Sequence, residues 1–535
     1  MANQAAHRQS ADHQETYEQA EAGFVARYPG FDPDGAHRRL RREEYGRLDQ
    51  AGQVYLDYTG GSLHAASQVD AHASLLRTAV LGNPHSRNPA SLASSELVEA
   101  ARQAISEFLG APREEYLCVL TANASAALRL VGESYPFAPG GTLALTADNH
   151  NSVNGIREFA RRQGARPCYV PLTSPELRVD RAALSRALRS PGGANGVSAG
   201  GARCLLAFPA QSNFSGVRHD LDIVAEAHAA GWDVLVDGAA YAPTSGFDAH
   251  RIAPDFAAFS IYKITGYPTG VGCLLIRRDR AALLRRPWFA GGTVTIASVR
   301  GDGHYLQPDE AGFEDGTVDY LSLPAVTAGL AHIQRVGLPA IGYRVHCLTA
   351  WLLEALAGLR HANGRALVQV LGPQGTGQRG ATIAFRLRGA DGAPVEEPVV
   401  EELACQERIS LRTGCFCNPG AAEVALGLTA EQMRPWFGRA EPVTQEEFRD
   451  GIAARCGARP AAIRVSLGVA SNFADVYQLT RFLRRFLNRR AIDVNAIDVS
   501  ASEVKGAGTS GGGIRSLSFG PADQPILAQP ARTVA

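Results

Sequence analysis

Lysine is almost missing from this chain of 535 residues. Of its 53 cationic side chains only two are lysines, Lys263 and Lys505, so 53 less two, or 51, are arginines. A net charge is missing as well, because 53 acidic side chains balance them. Without a basic field to recruit a polyanion, nucleic acid and anionic membrane surfaces are excluded as expected partners. No apolar run approaches the ~20 residues of a membrane span. The N-terminus, MANQAAHRQSADHQETYEQAEAG, lacks the basic-then-apolar order of a secretory leader. Nine scattered cysteines, an odd number, suit reduced thiols better than a disulfide framework. The expectation is a cytoplasmic protein.

What is present is a globular composition, 45% apolar and 20% charged, and a conspicuous place for one of the two lysines. Lys505 lies in a Gly/Ser-rich tail, whereas Lys263 lies in the apolar, glycine-punctuated stretch AAFSIYKITGYPTGVGCLLI. Arginine replaces lysine on a surface but cannot readily lose its proton or form an imine with an aldehyde, so a lysine retained here points to covalent chemistry.

From Val54 onward, short β-rich runs alternate with helical patterns. Strands are expected at Tyr116–Leu120, Thr142–Thr146, Cys168–Pro171, Arg203–Phe208, Asp233–Val236, Phe256–Ser260 and Gly272–Ile276. Glu96–Leu109 has helical spacing behind the cap candidates Ser94 and Ser95. This βαβ pattern predicts an α/β fold, a mainly parallel sheet sandwiched by helices, with chemistry at the carboxyl ends of its strands. Later residues predict a smaller α+β domain: a long helix over Ala331–Leu359, strands at Ala366–Leu371, Ala381–Leu387 and Ile463–Leu467, and a basic helix, Phe473–Arg490. The expected division is an N-terminal arm at 1–49 belonging to the small domain, a large domain at 50–330, the small domain with a Cys loop at 331–492 and a flexible tail at 493–535. Within the arm, polar residues 1–23 read as mobile and Phe24–Tyr28 as the part that docks. Residues 191–202 (PGGANGVSAGGA) read as a surface insertion.

Asp237 closes the run Asp233–Val236, which presents a carboxylate at a strand's carboxyl end; the same place also suits a turn cap. Lys263 follows 26 residues later, just past another strand. A carboxylate that keeps a heteroaromatic nitrogen protonated makes the ring an electron sink, so the pair suggests a lysine Schiff base with pyridoxal phosphate. Such a phosphate needs a helix N-terminus with small residues. Leu120–Ala127 offers one, with Ser125 and the amides of Ala124 and Ser125 as donors and Ser260 as a further hydroxyl. His150 could stack on a ring or be an ordinary loop histidine. In Arg412–Gly420 (RTGCFCNPG) two thiols sit between glycines, on a loop able to swing a nucleophile toward substrate; Cys-x-Cys with no second Cys/His pair nearby fits zinc less well. Gly375–Gly380 matches the dinucleotide fingerprint, but a strand pattern follows it where a helix is required.

The runs Val54–Gly61 (VYLDYTGG), Gly82–Ser86 (GNPHS), Asn149–Val153 (NHNSV), Asn213–Arg218 (NFSGVR), Ser260–Lys263 with Gly266–Gly270, Phe313–Thr317 (FEDGT) and Arg412–Gly420 resemble the aminotransferase class V domain of molybdenum cofactor sulfurases, in order from about residue 50 to 490. The resemblance implies a fold-type I pyridoxal-phosphate transferase, a homodimer, acting as an L-cysteine desulfurase. By that analogy Lys263 binds the cofactor and moves protons, Asp237 pairs with its ring nitrogen, His150 stacks, and Asn213 supports the ring hydroxyl or substrate. Arg464 grips the substrate carboxylate, Thr293 reaches the neighbouring subunit's phosphate, and Cys417 receives sulfur as a persulfide while alanine leaves. A lyase or aminotransferase on another amino acid would not need Cys417, and a silent binding protein would need none of the set. Three features depart from the pattern. Ala240 stands where related desulfurases carry glutamine, and Ala422 where plant-type sulfurases carry cysteine. The 45 residues after Arg490 are too few for a C-terminal molybdenum-cofactor domain, so the sulfur acceptor stays open.

Overall fold

The computed structural model describes residues 16–189, 202–437, 439, 441–456, 459 and 461–497. The insertion expected at 191–202, apart from Ala202, and the expected tail beyond Ile497 lie outside them.

Seven apolar runs form the main sheet: β1 (Tyr116–Thr121), β2 (Thr142–Thr146), β3 (Arg166–Val170), β4 (Leu205–Pro209), β5 (Asp233–Asp237), β6 (Phe256–Ser260) and β7 (Gly272–Arg277). Their spatial order is β1-β7-β6-β5-β4-β2-β3. Every residue of β2, β4, β5 and β6 is buried, the pattern of strands covered on both faces. All neighbours run parallel except β7, which is antiparallel to both β1 and β6. Because β7 alone is reversed, β1 keeps the direction of the others, and the carboxyl ends of β1, β2, β4, β5 and β6 share one edge.

A second, antiparallel sheet contains β8 (Val368–Leu371), β9 (Thr382–Leu387), β10 (Arg412–Gly414) and β11 (Ala462–Ser466), in the order β8-β9-β11-β10. The central position of β11 buries Arg464 beside β10, which leads into the Cys loop. The fingerprint-like Gly375–Gly380 is a loop running into β9.

Helix boundaries differ from expectation for identifiable reasons. The helix expected from Glu96 is Pro89–Phe108, with Pro89 in its first turn and Asn88 as its cap. Ser94 and Ser95 lie inside it, where Ser94 Oγ accepts from the Gly82 amide and Ser95 Oγ donates to the Ser91 carbonyl. Gly337, at φ +85°, divides the expected Ala331–Leu359 helix into Leu323–Val336 and Leu338–Gly358. The last long helix stops at Arg484 and Asn488 turns left-handed. Ala491–Asn495 is helical again, so the first residues of the expected tail are ordered. The arm is helical from Tyr17 to Arg27, closed by a Thr16 capping box. Its Phe24 is buried with its ring 4.7 Å from that of Phe473.

Candidate active site

β5 ends on Asp237, which is buried and whose Oδ1 accepts the Ala239 amide at 3.0 Å. β6 ends on Ser260 and passes directly into the short helix Ile261–Thr265, which carries Lys263. Burial is the main cause that lowers the Lys263 pKa; Asp237 opposes it, Arg464 and Arg412 add to it, and Asp57 opposes it more weakly. A lysine so placed holds its proton less tightly, as a nucleophilic amine must. His150, after β2, caps Asn151–Asn154, its Nδ1 accepting the Ser152 amide at 3.1 Å. Burial lowers its pKa, against the charge of Asp237 and with those of Lys263 and Arg464. Lys263, Asp237, His150 and Arg464 thus share one electrostatic environment.

After β1, Asn123 caps the helix Ala124–Ser134 by accepting the Ala126 amide at 3.0 Å. The Ala124 amide donates to Ser260 Oγ at 3.0 Å, so it is spent within the fold and is not the phosphate donor expected of it. Ser260 retains a hydroxyl proton to donate. The Ser125 amide has no partner among the described residues, and Ser125 Oγ lies 2.6 Å from Ser152 Oγ. A cavity of about 600 Å³ opens beside Ser125 and is lined by Arg129, Trp288 and Asp315, but neither Lys263 nor Asp237 lines it. The hollow also takes in Leu120 and Thr121, at the carboxyl end of β1, so it borders the phosphate turn and not the lysine.

The Cys loop is pinned, where its glycines suggest freedom. Phe416 and Cys417 are both left-handed, at φ +56° and +55°. The Cys417 carbonyl accepts the Asn151 amide at 2.7 Å, and Asn418 Nδ2 donates to the Asp148 carbonyl at 2.6 Å. A Cβ on Gly420 would lie 2.0 Å from the Ala147 carbonyl oxygen, so glycine here permits docking against the segment before His150. Cys417 is exposed and Cys415 half-buried, while the buried Phe416 ring lies 4.7 Å from the Arg464 guanidinium.

Two residues expected at the cofactor have partners within the chain. Asn213 spends both ends of its carboxamide on the loop, Nδ2 donating to the Phe416 carbonyl at 2.7 Å and Oδ1 accepting from Asn418 at 2.9 Å. The second amide hydrogen and the second oxygen lone pair are what it keeps for a ring hydroxyl or substrate. Thr293 is buried and its hydroxyl bonds within its own turn, to Ala290, so it is not presented to a neighbouring subunit.

Sequence reasoning assigned no role to Asp57, although it lies in the VYLDYTGG run. Its carboxylate takes Arg464 Nη2 at 2.9 Å on one oxygen, and Arg412 Nε at 3.0 Å and Nη2 at 2.6 Å on the other. An acid inside an otherwise apolar strand start was the available signal.

Residues 54–479 match the family described as aminotransferase class-V. The chain is 35% identical over 490 residues to the molybdenum cofactor sulfurase of Arabidopsis thaliana, covering 85% of this chain and 59% of that protein. Against the human molybdenum cofactor sulfurase it is 32% identical over 480 residues, covering 85% and 52%. It therefore spans little more than half the length of these relatives. Among solved structures, an apo cysteine desulfurase from Thermococcus onnurineus NA1 superimposes with a TM-score of 0.68 at 22% identity, covering 84% of this chain and 98% of that one. A cystine C-S lyase in complex with its product cysteine persulfide superimposes with a TM-score of 0.62 at 18% identity, covering 82% and 99%. These likenesses show a common α/β fold, that of the fold-type I enzymes.

Proposed function

The chain belongs to the aminotransferase class-V family, and from that membership we propose that it is a pyridoxal-phosphate enzyme that takes sulfur from L-cysteine onto Cys417 and releases alanine. The observation that carries this reading is the convergence on one sheet edge of Lys263, the sole lysine among the described residues, with Asp237, His150 and the loop bearing Cys417.

The residues fit the cofactor. Lys263 would hold its aldehyde carbon, Asp237 its ring nitrogen and His150 a ring face, with Ser125 and its unpartnered amide at the phosphate. Gly272, where a Cβ would lie 2.5 Å from Asn123, leaves β7 close against that phosphate turn. When bound, the group supplies an aldehyde for imine exchange and a ring that takes up negative charge from the substrate α-carbon.

The chain's own residues then divide the work. Arg464 binds the substrate carboxylate through a charge-assisted pair. The Lys263 amine, whose proton burial loosens, accepts and returns the proton at the α-carbon. The Cys417 thiolate attacks the substrate sulfur; an S–S bond forms and the C–S bond breaks. Its electron pair and a proton stay with the three-carbon fragment, so cysteine plus thiol gives alanine plus persulfide without an external oxidant. The acceptor of that sulfur is a small molecule, cofactor or carrier.

We also propose a homodimer, supported by the hairpin Val294–Ser298 and Gly303–Leu306, on which Ile296 and Tyr305 are exposed. A cytoplasmic setting is supported by the free thiols of the eight cysteines described with side chains.

Cofactor-loaded protein should absorb in the visible, lose that band in Lys263→Ala, and give equal alanine and sulfide from L-cysteine under reductant. Unchanged sulfide release by Cys417→Ala would replace this reading with a lyase that needs no thiol.

A further inference from the structure

The Arg412–Asp57–Arg464 cluster holds one more positive charge than negative. Arg464 is 3% exposed, donates from Nη1 to the Asn213 carbonyl at 3.1 Å, and its buried Nε has no partner among the described residues. Arg412 is half-exposed and gives both Nε and Nη2 to a single oxygen of Asp57. Lys263 feels both guanidiniums, and both feel Cys417. The cluster thus lies within electrostatic reach of both amine and thiol. Gly60 leaves room for it, since a Cβ there would lie 2.4 Å from Asp57 Oδ2 and 2.8 Å from Arg412 Nη2.

Two guanidiniums with no acid between them make a site for two negative charges; with an acid shared between them they have room for one. We propose that Asp57 is a specificity-determining residue that reduces the Arg412–Arg464 pair to a single-carboxylate site. It admits amino acids with one carboxylate and a neutral side chain and rejects those with a second anionic group. A second carboxylate would meet the buried Asp57 carboxylate, with Arg412 already committed. The inference rests on reading the Lys263–Cys417 region as an amino-acid site, and it names the substrate class of that site.

The test uses amino acids without sulfur, so it does not depend on desulfuration. Cofactor-loaded protein is alkylated with iodoacetamide, Cys417 modification is followed by mass spectrometry, and half-protecting concentrations of L-alanine and L-aspartate are compared. Wild-type protein should favour L-alanine by about tenfold or more. Asp57→Asn should move the ratio toward L-aspartate by at least about tenfold, and adding Arg412→Gln, which restores the original net charge, should return it to the wild-type value. A purely structural role for Asp57 would weaken both ligands alike and leave the ratio unmoved. A ratio in Asp57→Asn within about twofold of wild type, or no protection of wild type by either amino acid, would overturn the proposal. Should Asp57→Asn fail to fold, Arg412→Gln alone should weaken L-alanine protection, because the whole charge of Asp57 then falls on Arg464; unchanged protection would be equally fatal. Expected protection without alanine release from L-cysteine would sink the proposed activity and leave this inference standing.

Discussion

Replacing Glu314 by alanine should destabilise the protein and loosen the turn assigned to the cofactor phosphate. Glu314 Oε1 accepts from the Leu120 amide at 2.7 Å and from Arg102 Nη1 at 2.6 Å. The side chains of the pair are only 9% and 6% exposed. Leu120 precedes the Thr121–Ser125 turn, so this carboxylate ties the FEDGT segment to the strand that presents Ser125. Removing one partner of a buried pair costs about 3–5 kcal/mol, because the remaining charge is left uncompensated. Arg102 would keep the Cys118 carbonyl at 2.6 Å and Glu99 at 3.0 Å, which argues for the lower end, about 3 kcal/mol. Urea unfolding of cofactor-free protein measures the loss, and an absorbance titration with pyridoxal phosphate should show weaker binding. Arg102→Met with Glu314→Leu removes both charges and should recover most of the stability. The reasoning fails if Glu314→Ala unfolds at the wild-type urea midpoint, or if the double variant is no more stable than the single one.

Lys263→Met should stabilise cofactor-free protein at neutral pH and flatten its dependence on alkaline pH. The folded pKa of Lys263 lies below its ordinary value of 10.5, so between the two the unfolded chain binds more protons, and wild-type stability should rise with pH through that window; a wild-type slope retained in Lys263→Met would refute this. Gly420→Ala forces a Cβ to within 2.0 Å of the Ala147 carbonyl oxygen, so the Cys loop should undock at a cost of about 1–3 kcal/mol. Sulfide release should fall while the visible absorbance persists, and loss of both together would count against a role confined to the loop.

The main sheet was legible because burial on both faces makes a strand an uninterrupted apolar run. Thr142–Thr146 and Phe256–Ser260 were located to the residue, and the remaining five strands within a residue or two at either end. Helix ends were less so. Asn88 followed by Pro89 was a cap signal passed over for Ser94 and Ser95, and Gly337 with Pro339 marked a break inside what periodicity read as one helix. The helical order of Tyr17–Arg27 was not legible, because a polar sequence becomes a helix here through tertiary contact of one face, Phe24 against Phe473.

At the site, residues whose chemistry is rare in their surroundings stood out: one lysine in an apolar stretch, one carboxylate ending a buried strand, two thiols between glycines. What did not stand out was how polar atoms are spent. The Ala124 amide, the Asn213 carboxamide and the Thr293 hydroxyl all had suitable chemistry for a ligand, yet each has a partner within the chain, because a buried donor left waiting costs more than one paired internally. Asp57 is separated from Arg412 by 355 residues and from Arg464 by 407, and no periodicity or local motif carries a contact of that span. Such a contact follows from sheet order: β11 lies centrally, so Arg464 is brought beside β10 and beneath the segment at Asp57, and its charge must be met there. The residues that react can therefore be read from composition and neighbourhood, while those that set the charge around them can be read only from the closed fold.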